Sequence, residues 1–214
     1  TCPGAEHLLL SVPMRFLPDR TLETQDMDYP GDGLSDAVFM SSRDGVHWDR
    51  RFRQAWLRPG RDPRNWTHRN QTTAVGIIDT GGDEWSMYVC EHYGWNDNRL
   101  RRVNVRPWGF ASLNADVRGE AVTPPLTFEG DQLHLNYATS AAGSVRVEIQ
   151  DGDGQPLPGF SLKEADHQFG DQIDQAARWT TGSDLTSDLS GLTGRTVRLR
   201  FVLEDADLFS LRFG

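Results

Sequence analysis

Two stretches of this chain alternate apolar and polar side chains with a strict period of two. Ser144–Gln150 sends Val145, Val147 and Ile149 to one side and Arg146, Glu148 and Gln150 to the other. Thr196–Leu203 does the same with Val197, Leu199 and Phe201 against Arg198 and Arg200. That period belongs to a half-buried strand, not a helix. Helical periodicity is scarce elsewhere, and 21 Gly and 11 Pro punctuate 214 residues. The expectation is an all-β protein with many turns. Gly109–Leu113, Val122–Phe128, Gln132–Tyr137 and the closing Phe209, Leu211 and Phe213 add further strands. One sheet would leave the apolar faces wet, so residues 108–214 are expected to form a two-layered β-sandwich of jelly-roll type. If the strands pair, Arg198 and Arg200 face Glu148. Ser161-Leu162-Lys163-Glu164 reads as a capping box opening one short helix, Leu162–Gln168. Asp151-Gly152-Asp153-Gly154 resembles the start of a calcium loop but lacks the later ligands. Asp205 and Asp207 are expected to flank the last turn.

Residues 1–107 read differently. Strands are expected at 7–16, Ala37–Ser41, Phe52–Leu57, Thr72–Asp79, Trp85–Tyr93 and Leu100–Arg106. Between the first two lies a long loop, residues 17–36, with five Asp. The pattern of strand, polar loop, strand, turn, strand recurs at about 45 residues, the size of a propeller blade. Two blades, about 5–57 and 71–106, cannot close a ring, so further blades are expected upstream of Thr1. A leader peptide is expected to have been removed or to lie outside this stretch.

The chemistry concentrates at one hairpin, Trp85–Arg106. Glu91-His92 sits at the end of its first strand, with Tyr93 and Trp95 close by in the turn Gly94–Asn98. A carboxylate, an imidazole and aromatic rings suit a sugar-handling pocket. Glu91 reads either as one catalytic carboxylate or as the partner of Arg101 or Arg102. His68, Arg69 and Asn70, just before a strand, read as binders of sugar hydroxyls or a carboxylate, together with His92 and Trp95. In a binding module without catalysis, Trp66, Trp95, Trp108 and Trp179 are the candidate platforms. No Ser-His-Asp order, zinc spacing or phosphate loop is present, so neither metal nor cofactor is expected. Cys2 and Cys90 do not make a disulfide framework, although a bridge between them stays open.

Charge narrows the partners. Residues 1–107 carry 14 basic and 15 acidic side chains, and 108–214 carry 8 and 16. So acidic a second half disfavours nucleic acid and anionic membranes. No apolar run approaches the length of a membrane span.

Ser42-Arg43-Asp44-Gly45-Val46-His47-Trp48 resembles the Asp-box-like hairpin of sialidases and furanosidase-type glycoside hydrolases, where the motif is a structural turn. Arg61-Asp62-Pro63 also occurs in fructan- and sucrose-cleaving propeller enzymes, but here it follows Pro59-Gly60 in a turn and reads as coincidence. Taken with Pro59–Trp66, Arg99–Arg102, Trp108–Ser112 and Val197–Phe209, the chain resembles the C-terminal part of bacterial proteins with a five-bladed propeller followed by a β-sandwich. The resemblance implies the last two blades of a glycoside-hydrolase-like propeller, a carbohydrate partner, and a secreted, periplasmic or cell-surface setting. It also implies that the main catalytic carboxylates lie in earlier blades. This stretch is therefore expected to supply one side of a sugar pocket, with Glu91 as its catalytic candidate, and not to be catalytically complete alone. The alternative is a non-catalytic carbohydrate-binding or adhesion module.

Overall fold

The structure, a computed structural model, describes residues 1–20 and 33–214. The fold is all-β, built from small antiparallel sheets, none of them closed. Contacts divide the chain into two compact units, Thr1–Ala111 and Ser112–Gly214. Most of the predicted 17–36 loop lies outside the described residues.

The described residues of the first unit form nine short strands. They are β1 (Leu9–Ser11), β2 (Met14–Leu17), β3 (Leu34–Val38), β4 (Met40–Ser42), β5 (Trp48–Asp49), β6 (Ala55–Leu57), β7 (Ile78–Asp79), β8 (Trp85–Glu91) and β9 (Arg99–Val105). They form three sheets, ordered β1-β4-β5, β2-β3-β6 and β7-β8-β9. The expected strand at 7–16 is thus two, broken at Val12-Pro13. Proline has no N–H to give a ladder, but the Pro13 carbonyl still accepts from Val38 N at 3.0 Å. The expected Thr72–Asp79 strand is interrupted too. Thr73 bridges Val89 and Ile78 pairs with Ser86, while Val75 and Gly76 (φ +109°) stand out of the ladder between them. Ala37, Phe39, Trp85, Met87, Val89, Val103, Val105 and Phe110 bury together as this unit's core. Cys2 and Cys90 are free thiols.

The Ser42–Trp48 turn is held by its own side chains. Asp44 Oδ1 accepts from Val46 N (2.9 Å) and His47 N (2.7 Å), Gly45 takes φ +74°, and Trp48 Nε1 donates to Gly45 O at 3.2 Å. Hydrogen bonds from the His47 ring and these amides hold the Asp44 carboxyl well below the usual range.

The second unit contains β10 (Leu113–Val122), β11 (Leu133–Gln150), β12 (Asp171–Ala176), β13 (Trp179–Thr181), β14 (Asp184–Thr186) and β15 (Arg198–Phe213). One four-stranded sheet, β10-β15-β11-β12, carries the apolar face, and the β13-β14 hairpin is the only second ladder in the unit among the described residues. Trp179, Ala165, Phe160, Leu157, Leu189 and Leu192 pack with Val145, Val147, Ile149, Leu199 and Phe201 to bury that face. The cover is therefore mostly irregular backbone rather than a full second sheet.

Several expectations change here. Gln132–Tyr137 and Ser144–Gln150 are one 18-residue strand. Leu162–Gln168 is not a helix. Glu164 does bond back to Ser161 N at 2.9 Å, as a capping box requires, but only a single turn forms. The chain then leaves it to run along the edge of β11, with Gln168 paired to Val145. Edge pairing there outcompetes further helix. Asp205 and Asp207 lie inside β15, where Asp205 (φ +42°) marks a bulge. Arg200 does sit opposite Glu148 in register, whereas Arg198 donates to Gly152 O. Glu148 is buried, because Leu162 N, Gln150 and Arg200 close over it.

Candidate functional site

The loop 58–72 and the turn 91–98 meet at the end of β8 and form one bonded cluster. The 58–72 loop owes its shape to Asp62, which caps a 3-10 turn, Pro63–Asn65, by accepting from Arg64 N at 3.0 Å, with Pro63 at the first position. Asn65 then ties the loop to the hairpin. It accepts from His92 N at 3.2 Å and donates to Glu91 Oε1 at 3.4 Å and Pro59 O at 3.2 Å. Asn70 does the same further on. Its Oδ1 accepts from Tyr93 N at 2.7 Å, and its Nδ2 donates to Arg64 O and Thr67 Oγ1.

Glu91 is 5% exposed. Its Oε2 takes Arg99 Nε at 3.1 Å and its Oε1 takes Arg101 Nε at 2.6 Å. The register explains this, since Arg99 lies directly opposite Glu91 and Arg101 is its diagonal neighbour on the same face. His92 is 3% exposed, with Nδ1 2.9 Å from Asp97 Oδ2 and Nε2 2.8 Å from Asp62 Oδ2. The His92 hydrogen bond, with that from Arg64 N, holds the Asp62 carboxyl below its ordinary range. For Asp97, burial is the largest influence and works upward, but the His92 and Arg64 contacts together outweigh it and the net shift is downward. Arg64 also bonds Asp97 at 2.5 Å and lies 5.0 Å over the Trp95 ring.

Arg69 is exposed, 5.9 Å over the Tyr93 ring and 3.4 Å from its hydroxyl. His68 meets Tyr93 edge-on at 5.6 Å, and burial with the Arg69 charge beside it lowers the imidazole pKa. The backbone is left-handed at Arg69 (φ +63°), Gln71 (+60°) and His92 (+55°), three of the five such non-glycine residues described. Strained backbone of this kind persists where surrounding bonds over-determine it, and it gathers at functional loops.

All the sequence-predicted residues, Glu91, His68, Arg69, Asn70, His92 and Trp95, therefore lie in one cluster, but with different tasks. Asn70, His92 and Glu91 are buried, with their polar atoms engaged inside it. Arg69, His68 and Trp95 keep surface outward. Local pattern does not mark Asp97, Asn65 or Arg99 as site residues, and Arg61-Asp62-Pro63 reads from sequence as coincidence. Asp62-Pro63 was a readable cap signal, whereas the reach of Asp97 and Asn65 depends on how the two loops fold together.

Beside the cluster opens a cleft of about 710 Å³, lined by Leu17, Asp19, Asp36, Arg58, Gly60 and Trp66 among others. Trp66 is fixed by its indole N–H, which donates to Gly60 O at 2.9 Å. Asp36 is held by Arg15 through contacts of 2.9 and 2.5 Å. Among the described residues no group of three or more His, Cys, Asp or Glu side chains is placed to hold a metal ion, and no helix is long and apolar enough to cross a membrane. Set against protein-family models, curated proteins and solved structures, the chain matches none of them.

Proposed function

We propose that residues 1–111 form one wall of a carbohydrate pocket in a propeller-type, glycoside-hydrolase-like protein carrying a second β-rich unit, in a secreted or cell-surface setting. The sugar sits in the cleft beside Trp66. The observation that carries this reading is the composition of that cleft: an immobilised indole with Leu17 and Leu34, rimmed by Asp19, Asp36, Arg20, Arg58 and Ser35. A sugar ring has an apolar face and a rim of hydroxyls, and an amphipathic aromatic among placed polar groups complements both.

Among the described residues, Glu91, Asp62 and Asp97 do not make the acid–base pair. A glycosidic acid needs a raised pKa and a second carboxyl facing the same bond. Asp62 and Asp97 shift the opposite way, and both oxygens of Glu91 are bonded to arginines. Glu91 then acts as the anchor that spreads Arg99 and Arg101. The same facts favour a second reading, a binding module with no hydrolysis, using the same cleft.

Titration calorimetry against a panel of neutral and acidic oligosaccharides tests the proposal. Trp66→Ala is expected to weaken binding about tenfold, on the order of 1.4 kcal/mol, with the fold intact by circular dichroism. Binding that ignores Trp66→Ala, or no binding across the panel, would overturn it. Reducing-end release by the intact protein separates the two readings.

A further inference from the structure

We infer that His92 is a proton switch on the cleft: with both ring nitrogens protonated it ties the 58–72 loop to the hairpin and seats Trp66, and on losing one proton it releases Asp62. Both nitrogens face acceptors. Nδ1 lies 2.9 Å from Asp97 Oδ2, and Nε2 lies 2.8 Å from Asp62 Oδ2. An ionised carboxylate only accepts, so each contact needs its proton on the ring. The Asp62 and Asp97 carboxyls sit below their ordinary range, so both are ionised near neutrality. A neutral imidazole keeps one N–H and turns a lone pair to the other carboxylate, which repels it. The other charges close to the ring do not answer that change. Arg64 holds Asp97 at 2.5 Å, the Arg99 charge reaches Asp62, and Glu91 is bonded by Arg99 and Arg101. Arginine keeps its charge throughout.

Asp62 is the end that yields. Asp97 belongs to the same turn as His92 and keeps Arg64, whereas Asp62 comes from the other loop. The His92 carbonyl accepts from Trp95 N at 3.0 Å, which keeps the ring with its own turn. Asn65 and Asn70 still hold the loop, so it shifts at its Asp62 end and does not detach. Asp62 caps Pro63–Asn65, and Trp66 closes that turn, its N–H donating to Pro63 O at 3.1 Å and its indole to Gly60 O at 2.9 Å. Gly60 and Trp66 both line the cleft, so a shift of Asp62 reaches the cleft wall. Linkage is reciprocal: a ligand that binds against the seated Trp66 favours the doubly protonated ring. That last step rests on the carbohydrate reading of the cleft; the switch itself does not.

The test is magnetic resonance on the whole chain, carrying fluorotryptophan and isotopically labelled histidine, titrated from about pH 5.5 to about pH 9. Trp66→Phe assigns the Trp66 fluorine signal. At the acid end both His92 ring nitrogens should carry protons, and the Trp66 signal should move with the same midpoint as the loss of one of them. Asp62→Asn keeps Oδ1 for Arg64 N and puts an amide donor where the other oxygen stood, which suits the neutral ring. Its Trp66 signal should therefore take the seated position at the alkaline end instead. His92→Gln, which donates from one end only, should hold the released position at every pH. The oligosaccharide that binds best in the calorimetric panel should bind about tenfold more weakly to the native chain at the alkaline end, and Asp62→Asn should show no such loss. A His92 ring with a single proton at the acid end, a Trp66 signal that ignores the His92 titration, or an Asp62→Asn response like the native one overturns the switch. A full fluorine response with no sugar bound supports the switch and overturns only the carbohydrate reading.

Discussion

At the residue scale, the cluster around His92 shows how side-chain hydrogen bonds hold a polar loop in one shape. Two carboxylates grip one buried imidazole, and two asparagines stitch the loop to the hairpin. Buried polar atoms that are bonded specify one geometry, and removing a partner strands the atom it served, although among the described residues Asp97 Oδ1, Trp95 Nε1 and the Gln71 side-chain amide accept or donate no hydrogen bond. Acid should therefore loosen this loop before it unfolds the cores. Asp62 has a folded pKa below its ordinary value of 3.8, so the unfolded chain binds its proton first as pH falls. Its contribution is complete above that ordinary value and is lost on the way down through the depressed one. The urea midpoint of the native chain is expected to drop as pH falls through the ordinary value of 3.8 and below it, and that of Asp62→Asn to drop less over the same interval. Parallel curves for the two proteins would show that the His92 contact stabilises nothing.

At the element scale, the longest strands owe their register to a close approach that only glycine permits. β11 and β15 change register between Thr139 and Ser144, opposite Glu204 and Ala206. A Cβ on Gly143 would lie 2.6 Å from the Glu204 carbonyl oxygen and closer still to that of Asp205. Backbone cannot yield as a side chain does, so Gly143→Ala is expected to destabilise the second unit by about 1–3 kcal/mol, read as a lowered denaturant midpoint with an unchanged slope. The same strands show what was legible beforehand. Alternation at Ser144–Gln150 and Thr196–Leu203 gave the buried faces correctly, because period two survives whatever the partner strand is. It could not reveal that Leu133–Gln150 crosses Ala141–Gly143 without a turn, nor that Glu148 is covered by a distant loop. The capping box at Ser161 was real, and tertiary pairing still overrode the helix. In the first unit the hairpin and its Glu91–His92 end were readable from local pattern. That Asn70 and His92 point inward was not, since burial there follows from two loops of separate origin closing on each other.

For the whole molecule, the two units differ in how their cores are built, and their dynamics should differ accordingly. Residues 112–214 bury one continuous apolar layer, with Leu133, Leu135, Val145, Ile149 and Leu199 at zero exposure on strands of 18 and 16 residues, and Trp179 and Val197 equally buried against them. Residues 1–111 spread a smaller core over three sheets whose strands do not exceed seven residues, and they invest in polar loop contacts instead. Opening a short strand exposes little apolar surface, so it costs little free energy, whereas opening β11 or β15 breaches the whole second core. Hydrogen exchange should therefore be slowest at Val145–Ile149 and Leu199–Leu203, approaching the global unfolding rate, and faster by about two to three orders of magnitude in β1–β6, equivalent to roughly 3–4 kcal/mol of local stability. β8, held on both sides and packed through Trp85, Met87 and Val89, should be the slow island of the first unit. Time-resolved exchange read by mass spectrometry on the intact chain checks this ordering. Equal protection in β2–β3 and β11–β15 would mean that the first unit gains its stability from something other than its own apolar core.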